Sequence, residues 1–268
     1  MQIFQYKLQG IAIMFENLTE NIAIHYKSAI QKTQGKKRVF HKPDEELKTV
    51  QKMINKVFQL YLPRADYLYT GYKKCRVIDL INVHKNSRNA VVLDVKNFYG
   101  SVSKERVFKF LTDICQLNKN TAEIILKLIT YKDTLPLGVP TSNIVSFWAC
   151  KSVFDKIYNY CQDLGYNMTL YADDMVISGN IQNPVTVIST VQKELLKAGL
   201  KLNYRKIRIY GKRKRIMNIH INSKGRLSVD YKLRRSINYL KAKPILSEHE
   251  KLVLQGKLNY ARQIERRT

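Results

Sequence analysis

The sequence predicts an α+β fold, a small antiparallel sheet of short strands backed by helices. Three observations predict it. Ala90-Val91-Val92-Leu93-Asp94 is a short, β-branched apolar run closed by a carboxylate, the pattern of a buried strand. Residues 168–178 place apolar and β-branched residues on both sides of Asp173-Asp174, which reads as strand, tight turn, strand. Elsewhere apolar residues recur at helical spacing over longer stretches, as at Leu47, Val50, Met53, Ile54, Val57 and Phe58.

In chain order, residues up to about Tyr61 read as mostly helical, interrupted by a basic hairpin around Gly35. After the strand ending at Asp94, Ser103 is placed to cap a helix that opens with Lys104-Glu105-Arg106. Residues 107–131 read as two helices broken near Asn118-Lys119-Asn120. Residues 141–164 read as one long helix after Pro140. Residues 183–200 form another helix, with Pro184 near its start, followed by a strand at Lys201-Leu202-Asn203. Residues 205–222 read as strands around a basic turn. The last stretch, 231–267, is helical and basic, interrupted at Gly256. No repeat, low-complexity tract or Gly/Ser-rich linker divides the chain.

The chain has 268 residues, enough for one large domain or two or three subdomains. Its 47 Lys and Arg against 21 Asp and Glu leave a formal charge of +26, which points to a polyanionic partner. A membrane is the weaker choice, because no apolar run approaches the roughly 20 residues of a spanning helix. The opening Met1-Gln2-Ile3-Phe4-Gln5-Tyr6-Lys7 lacks the charged and apolar regions of a signal peptide, so a cytoplasmic location is expected. Cys75, Cys115, Cys150 and Cys161 are scattered without a Cys-x-x-Cys step, arguing against both a zinc site and a disulfide framework. There are 17 tyrosines, and those interleaved with Lys and Arg suit base stacking beside phosphate pairing. One such cluster is Tyr67, Tyr69, Tyr72, Lys73 and Lys74, and another spans 204–215; individual tyrosines also suit a core.

The chemistry centres on Tyr171-Ala172-Asp173-Asp174. Successive strand side chains point to opposite faces, so two adjacent Asp serve one site only at a turn. Paired carboxylates raise one another's pKa unless a cation lies between them. With Asp94 they make an oxygen cage suited to two Mg²⁺ ions and to phosphoryl transfer.

The ordered motifs resemble the palm of a reverse transcriptase, most closely the bacterial retron-type enzymes. Asp94 and Tyr99 match the first palm motif, an Asp followed after four residues by an aromatic. Leu135-Pro136-Leu137-Gly138-Val139-Pro140-Thr141-Ser142 matches the second, Tyr171-Ala172-Asp173-Asp174 the third, and Leu202-Asn203-Tyr204-Arg205-Lys206 the fourth. Gly35 to Pro43, with Arg38 between them and Leu47 and Gln51 beyond, is similar to the fingers motif. The resemblance runs from about Tyr26 to about Tyr260.

It implies a right-hand polymerase fold with a small antiparallel palm sheet. Fingers would take residues 1–90, with part of 107–131 joining them; the palm would take 91–227 and a short basic thumb 228–268. Asp94, Asp173 and Asp174, with the Val95 carbonyl, would hold two Mg²⁺. Asn97 and Phe98 would offer backbone amides to the triphosphate, and Tyr99 would exclude a 2′-hydroxyl. Leu137 and Gly138 would lie near the nucleotide, and Lys32 and Arg38 would grip its phosphates. Lys206 would protonate the departing pyrophosphate, or simply face nucleic acid. Lys232, Arg234, Arg235, Lys241 and Lys243 would meet the template–primer duplex. The implied partners are a structured noncoding RNA template, an RNA–DNA hybrid product, deoxynucleoside triphosphates and a separate effector protein.

The chain departs from the family at Leu137, where Gln is usual, and in the retron signatures. Asn82-Val83-His84 and Ile216-Met217-Asn218 match those signatures only in part. A bacterial defence enzyme outside the retrons therefore stays open. So do a polymerase-like scaffold that holds RNA without turnover and an RNA-templated RNA polymerase. The carboxylate trio weighs against the first, and the Tyr99 ring against the second.

Overall fold

A computed structural model describes residues 1–33 and 36–265, with side chains of 31–39 outside that description. The hairpin tip at Gly35 and the end of the chain thus lie outside the described residues. Helix α1 (Gln2–Met14) precedes a hairpin of β1 (Tyr26–Thr33) and β2 (Lys36–Pro43) and the long α2 (Glu45–Tyr61). Asp44 caps α2 by accepting from the Leu47 N–H at 2.9 Å, while Glu45 and Glu46 favour the positive end of its dipole. The expected apolar stripe on α2 is buried, apart from Met53, which is 37% exposed and lies at the margin. The Phe58 ring packs against Phe4 and Phe110 at 6.3 and 5.5 Å. Burial of one such side chain is worth about 1.5–3 kcal/mol.

Helix α3 (Val77–His84) leads into β3 (Asn89–Asp94), the short α4 (Phe98–Ser101) and α5 (Lys104–Lys109). Ser103 accepts from the Arg106 N–H, the cap expected from sequence. A π-helical turn continues to Ile114, and Asn118 caps α6 (Lys119–Ile129) through the Thr121 N–H. The stretch after Pro140 is two helices rather than one: α7 (Ser142–Ala149) and α8 (Lys151–Asp163), broken at Cys150 with φ −115° and ψ 7°. No Gly or Pro marks this break. Cys150 is fully buried, and the packing of two separate apolar faces bends the chain there.

Strands β4 (Asn167–Tyr171) and β5 (Asp174–Gly179) form the second hairpin, followed by α9 (Pro184–Leu196), capped by Asn183. Helix α9 stops short of Leu200 because Gly199, at φ +69°, turns the chain left-handed. Residues 201–203 make one isolated bridge, Val95 with Leu202, instead of a strand. Strands β6 (Arg208–Tyr210), β7 (Lys214–Ile216), β8 (Ile219–Ile221) and β9 (Leu227–Val229) precede α10 (Tyr231–Ala242) and α11 (Glu248–Glu265). The break between the last two helices lies at 243–247, where Pro244 cannot continue a helix, and Gly256 sits inside α11. Ser247 and Glu250 close a reciprocal cap at its start, with N–H to side-chain bonds of 3.1 and 3.2 Å.

The strands make three sheets. The central one has order β4-β5-β3-β6, every pair antiparallel, in addition to the β1-β2 hairpin and a β7-β8-β9 meander. One core lies between the central sheet and α1, α2 and α5–α9. A second joins the meander to α3, α10 and α11. Among the described residues, no helix is long and apolar enough to cross a membrane.

Candidate active site

The register of the central sheet builds the site. Asp94 is the last residue of β3 and pairs directly with Asp174, the first residue of β5. Asp173 lies in the turn between β4 and β5, where Ala172 adopts φ +55° and breaks the strand alternation. The Asp173 carbonyl accepts from the Val95 N–H at 2.9 Å, which ties the turn to the end of β3. The three carboxylates thus come together at one end of two neighbouring strands.

Asp94 and Asp173 open onto a cleft of about 500 Å³, lined also by Val95, Phe98, Tyr99 and Leu137, and Asp174 lies beside them as the cross-strand partner of Asp94. Burial, then the charges of Asp173 and Asp94, push the Asp174 carboxyl up to about 6; Lys206 pulls the other way. The Lys206 ammonium donates to one oxygen of Asp94, and the Asn203 amide donates to the other at 2.9 Å. The Asn203 N–H also bonds the Asp94 carbonyl at 2.8 Å. Among the described residues, no three His, Cys, Asp or Glu side chains close on a single point as a ready-made cage. The donor set nonetheless suits a cation. Two carboxylates line one cleft with a third beside them, burial and then the other two carboxylates raise the pKa of that third, and a lysine ammonium already sits on Asp94.

Tyr99 is half-buried in the same cleft, on α4, and its hydroxyl donates to Asn143 Oδ1 at the start of α7. Burial, then Asp173, raise the Tyr99 phenol well above its ordinary value, so it remains a donor. Asn97 sits at φ +49° before α4, and a Cβ on Gly100 would come within 2.6 Å of its side-chain amide, so a larger residue there would have to displace that amide. Gly138, at φ +94°, turns the 135–142 segment so that Leu137 faces the cleft, with the Phe40 ring 3.4 Å from where a Cβ would stand. Ser142 Oγ closes that segment on the Pro136 carbonyl at 2.7 Å.

Other expected residues divide. Lys32 and Arg38 have strand backbones in β1 and β2, pairing Lys37 and Gln31, and their side chains lie outside the described ones. On α10, Lys232, Arg235 and Lys241 are exposed. Arg234 pairs with Glu265 at 2.7 Å, and Lys243, just beyond α10, pairs with Glu250 at 2.6 Å. The tyrosines at 67–72 have protein partners. Tyr67 is buried and donates to Asp155 at 2.6 Å, Tyr72 accepts from the Trp148 indole at 2.8 Å, and Tyr69 lies under Arg64. Tyr204 is 63% exposed and keeps the stacking option. Cys115, Cys150 and Cys161 are buried thiols, and burial pushes Cys150 and Cys161 up to about 12. Residues missed from sequence are Asn143, Asn203 as the Asp94 partner, and His41, which reaches the cleft from β2. Asn203 stood inside a motif already noted; nothing local marks the other two.

A family profile described as "Reverse transcriptase (RNA-dependent DNA polymerase)" matches residues 30–240. The retron Ec73 reverse transcriptase of Escherichia coli is 24% identical over 261 residues, covering 88% of this chain and 82% of that protein. The retron Se72 reverse transcriptase of Salmonella heidelberg is 24% identical over 165 residues, covering 61% of this chain but only 44% of its own length. Among solved structures, apo telomerase from Candida tropicalis superposes with a TM-score of 0.59 at 12% identity, covering 87% of this chain and 50% of that one. That likeness establishes the right-hand polymerase fold.

Proposed function

The chain belongs to the reverse transcriptase (RNA-dependent DNA polymerase) family, and from that membership we propose that it copies a structured noncoding RNA into DNA in a bacterial retron or related antiphage system. The observation that carries the reading is the cross-strand pair Asp94–Asp174 with Asp173 at the adjoining turn, Asp94 and Asp173 lining one cleft. Fingers over about 1–90, palm over about 91–227 and thumb beyond fit this reading. Strand β9 straddles the last boundary, and its meander shares a core with α10 and α11.

Asp94, Asp173 and Asp174 would hold two Mg²⁺, with the Val95 carbonyl beside them. When bound, such ions activate the attacking hydroxyl and stabilise charge on the leaving pyrophosphate. Asn203 orients Asp94 by holding one of its oxygens. Lys206 supplies positive charge beside the reacting phosphates and a proton for the leaving group. Arg38 and Lys32 would grip the triphosphate with the Asn97 and Phe98 amides, and Leu137 and Gly138 would border the nucleotide. Lys232, Arg235 and Lys241 would meet backbone phosphates of the hybrid, with Arg234 and Lys243 held beside them by acidic partners. The RNA template, the hybrid and the deoxynucleotides are the expected partners, and an effector protein would act separately, in the bacterial cytoplasm.

The test is primer extension by purified protein with its co-purified RNA, Mg²⁺ and labelled deoxynucleotides. Labelled DNA is expected, and its sequence identifies the template. No product, with RNA still bound and a known polymerase active alongside, would favour a scaffold.

Sugar discrimination gives a finer check. Tyr99→Ala opens space for a 2′-hydroxyl, so the ratio of kcat/KM for dATP over ATP should fall by roughly tenfold or more, about 1.4 kcal/mol. Asn143→Ala frees the Tyr99 ring by removing one hydrogen bond worth about 1 kcal/mol, so the same ratio should fall by roughly fivefold. Unchanged ratios in both variants would reject the gate.

A further inference from the structure

The end of β3 away from the carboxylates carries a separate concentration of charge. Lys85, Arg88, Lys212 and Lys224 line one recess of about 560 Å³ together with Ser87 and Ser223, and no carboxylate borders it. These residues come from three separated stretches: the loop after α3, the turn between β6 and β7, and the turn between β8 and β9. Among the described residues, none of the four cations forms an ion pair; Arg88 donates only to the Asn180 side-chain carbonyl, at 3.3 Å.

Their backbones are locked together. Lys214 is 3% exposed, and its ammonium donates to the Ser87 carbonyl at 2.5 Å and the Lys212 carbonyl at 3.3 Å. Asn222 Oδ1 accepts from the N–H groups of Lys224 and Arg226 at 2.9 and 3.0 Å, which fixes the β8–β9 turn. Gly225 adopts φ +76°, and a Cβ there would stand 3.0 Å from Asn86 Oδ1, so this turn seats against the loop after α3. Like charges held this close repel one another, and without a counter-charge the fold gains nothing by gathering them. Cations carried on backbones held together in this way are instead placed for a polyanion. A concave lining without apolar side chains does not suit a lipid surface, while the Ser223 hydroxyl beside the cations suits phosphate and 2′-hydroxyl groups; Ser87 Oγ is bonded to Ser178 Oγ at 2.8 Å.

We propose that this recess binds backbone phosphates of a structured RNA outside the catalytic cleft. The identity of the polyanion rests on the RNA-directed reading above. Strand β3, whose first residue follows Arg88, runs five residue steps from Asn89 to Asp94, roughly 17 Å at strand rise, so this contact is distinct from that of the reacting primer end. It would hold a folded part of the RNA while the template strand passes the carboxylates.

The test uses the full chain and a variant carrying Lys85→Gln, Arg88→Gln and Lys224→Gln. A labelled 20-base-pair RNA hairpin is titrated at several salt concentrations, and primer extension is measured on poly(rA)·oligo(dT) at saturating substrate. The variant should bind the hairpin at least tenfold more weakly at 0.1 M salt. Its slope of log affinity against log salt should be shallower by roughly 2, as expected for lost phosphate contacts. Its extension rate should stay within twofold of wild type, and its Tm should not fall, because like-charge repulsion is relieved. Unchanged hairpin affinity and slope would overturn the proposal. A wild-type chain that fails to extend poly(rA)·oligo(dT) would count against the polymerase reading instead, and hairpin binding would still decide the recess.

Discussion

Asp173→Asn with Asp174→Asn is expected to lower DNA synthesis at least about 10³-fold while raising the melting temperature. On the proposed function the rate loss follows because two charges that would act at the reacting phosphates are removed, where a single preorganised electrostatic contact is worth about 10²–10³. The stability gain follows from Asp174. Burial and two neighbouring carboxylates hold its carboxyl near 6, above the ordinary 3.8. A carboxyl whose folded pKa is raised contributes stability below 3.8 and loses it as pH rises through 6. At pH 8 that penalty is roughly 3 kcal/mol, and the isosteric amide removes it. Extension assays and thermal melts at pH 8 in EDTA check both halves. An active double variant would mean that the reaction centre lies elsewhere. An inactive variant with lowered Tm would mean that the carboxylates are structural. Stability sacrificed at a site that must concentrate charge is the usual relation between the two.

His84→Ala should cost about 3 kcal/mol or more at pH 7 and abolish much of the acid sensitivity of the fold. His84 is fully buried at the end of α3. Its ring nitrogens reach Ser178 Oγ on β5 at 2.7 Å and Thr169 Oγ1 on β4 at 2.8 Å, clamping the hairpin whose turn carries Asp173. Truncation leaves a cavity and two buried hydroxyls without this partner. Burial, then Lys214, lower the imidazole to about 3, so it is neutral in the fold and charges near 6.5 when unfolded. The unfolded chain therefore binds more protons between these values, and wild type loses stability as pH falls below 6.5. By pH 5 the loss is about 2 kcal/mol. Asp174 acts in the opposite sense over part of this range, but it is present in both proteins and cancels in their difference. Denaturant midpoints at pH 7 and pH 5 give that difference. If it does not shrink at pH 5, the imidazole is charged in the fold and the clamp is misassigned.

Local pattern carried much of the architecture. The β-branched runs marked β3, β4 and β5, and the turn chemistry put Asp173 and Asp174 where alternation breaks. Ser103, Asn118 and Asn183 stood at or beside helix starts because capping is a property of a few adjacent residues. What failed was also local in appearance. The break at Cys150 has no sequence mark because two amphipathic helices in succession show the same period as one. Gly256 suggests an interruption by sequence, yet a helix tolerates one glycine at a cost of about 1 kcal/mol, and Pro244 supplies the real break. The 67–72 tyrosines suit packing or stacking by sequence alike, and only the tertiary structure supplies the partners Asp155 and Trp148 of Tyr67 and Tyr72.

By itself the sequence determined the family, the three carboxylates, the Tyr99 position and a charge that calls for nucleic acid, because each lies in a short motif or in composition. The tertiary structure decided which groups meet them. Asn203 and Lys206 reach Asp94 across 109 and 112 residues, Asn143 reaches Tyr99 across 44, and three separated stretches meet at the basic recess. The reason is the sheet order β4-β5-β3-β6. It places β6 beside β3, although residues 95–207 lie between them in sequence, and periodicity describes a residue's own face but not the strand that will lie next to it.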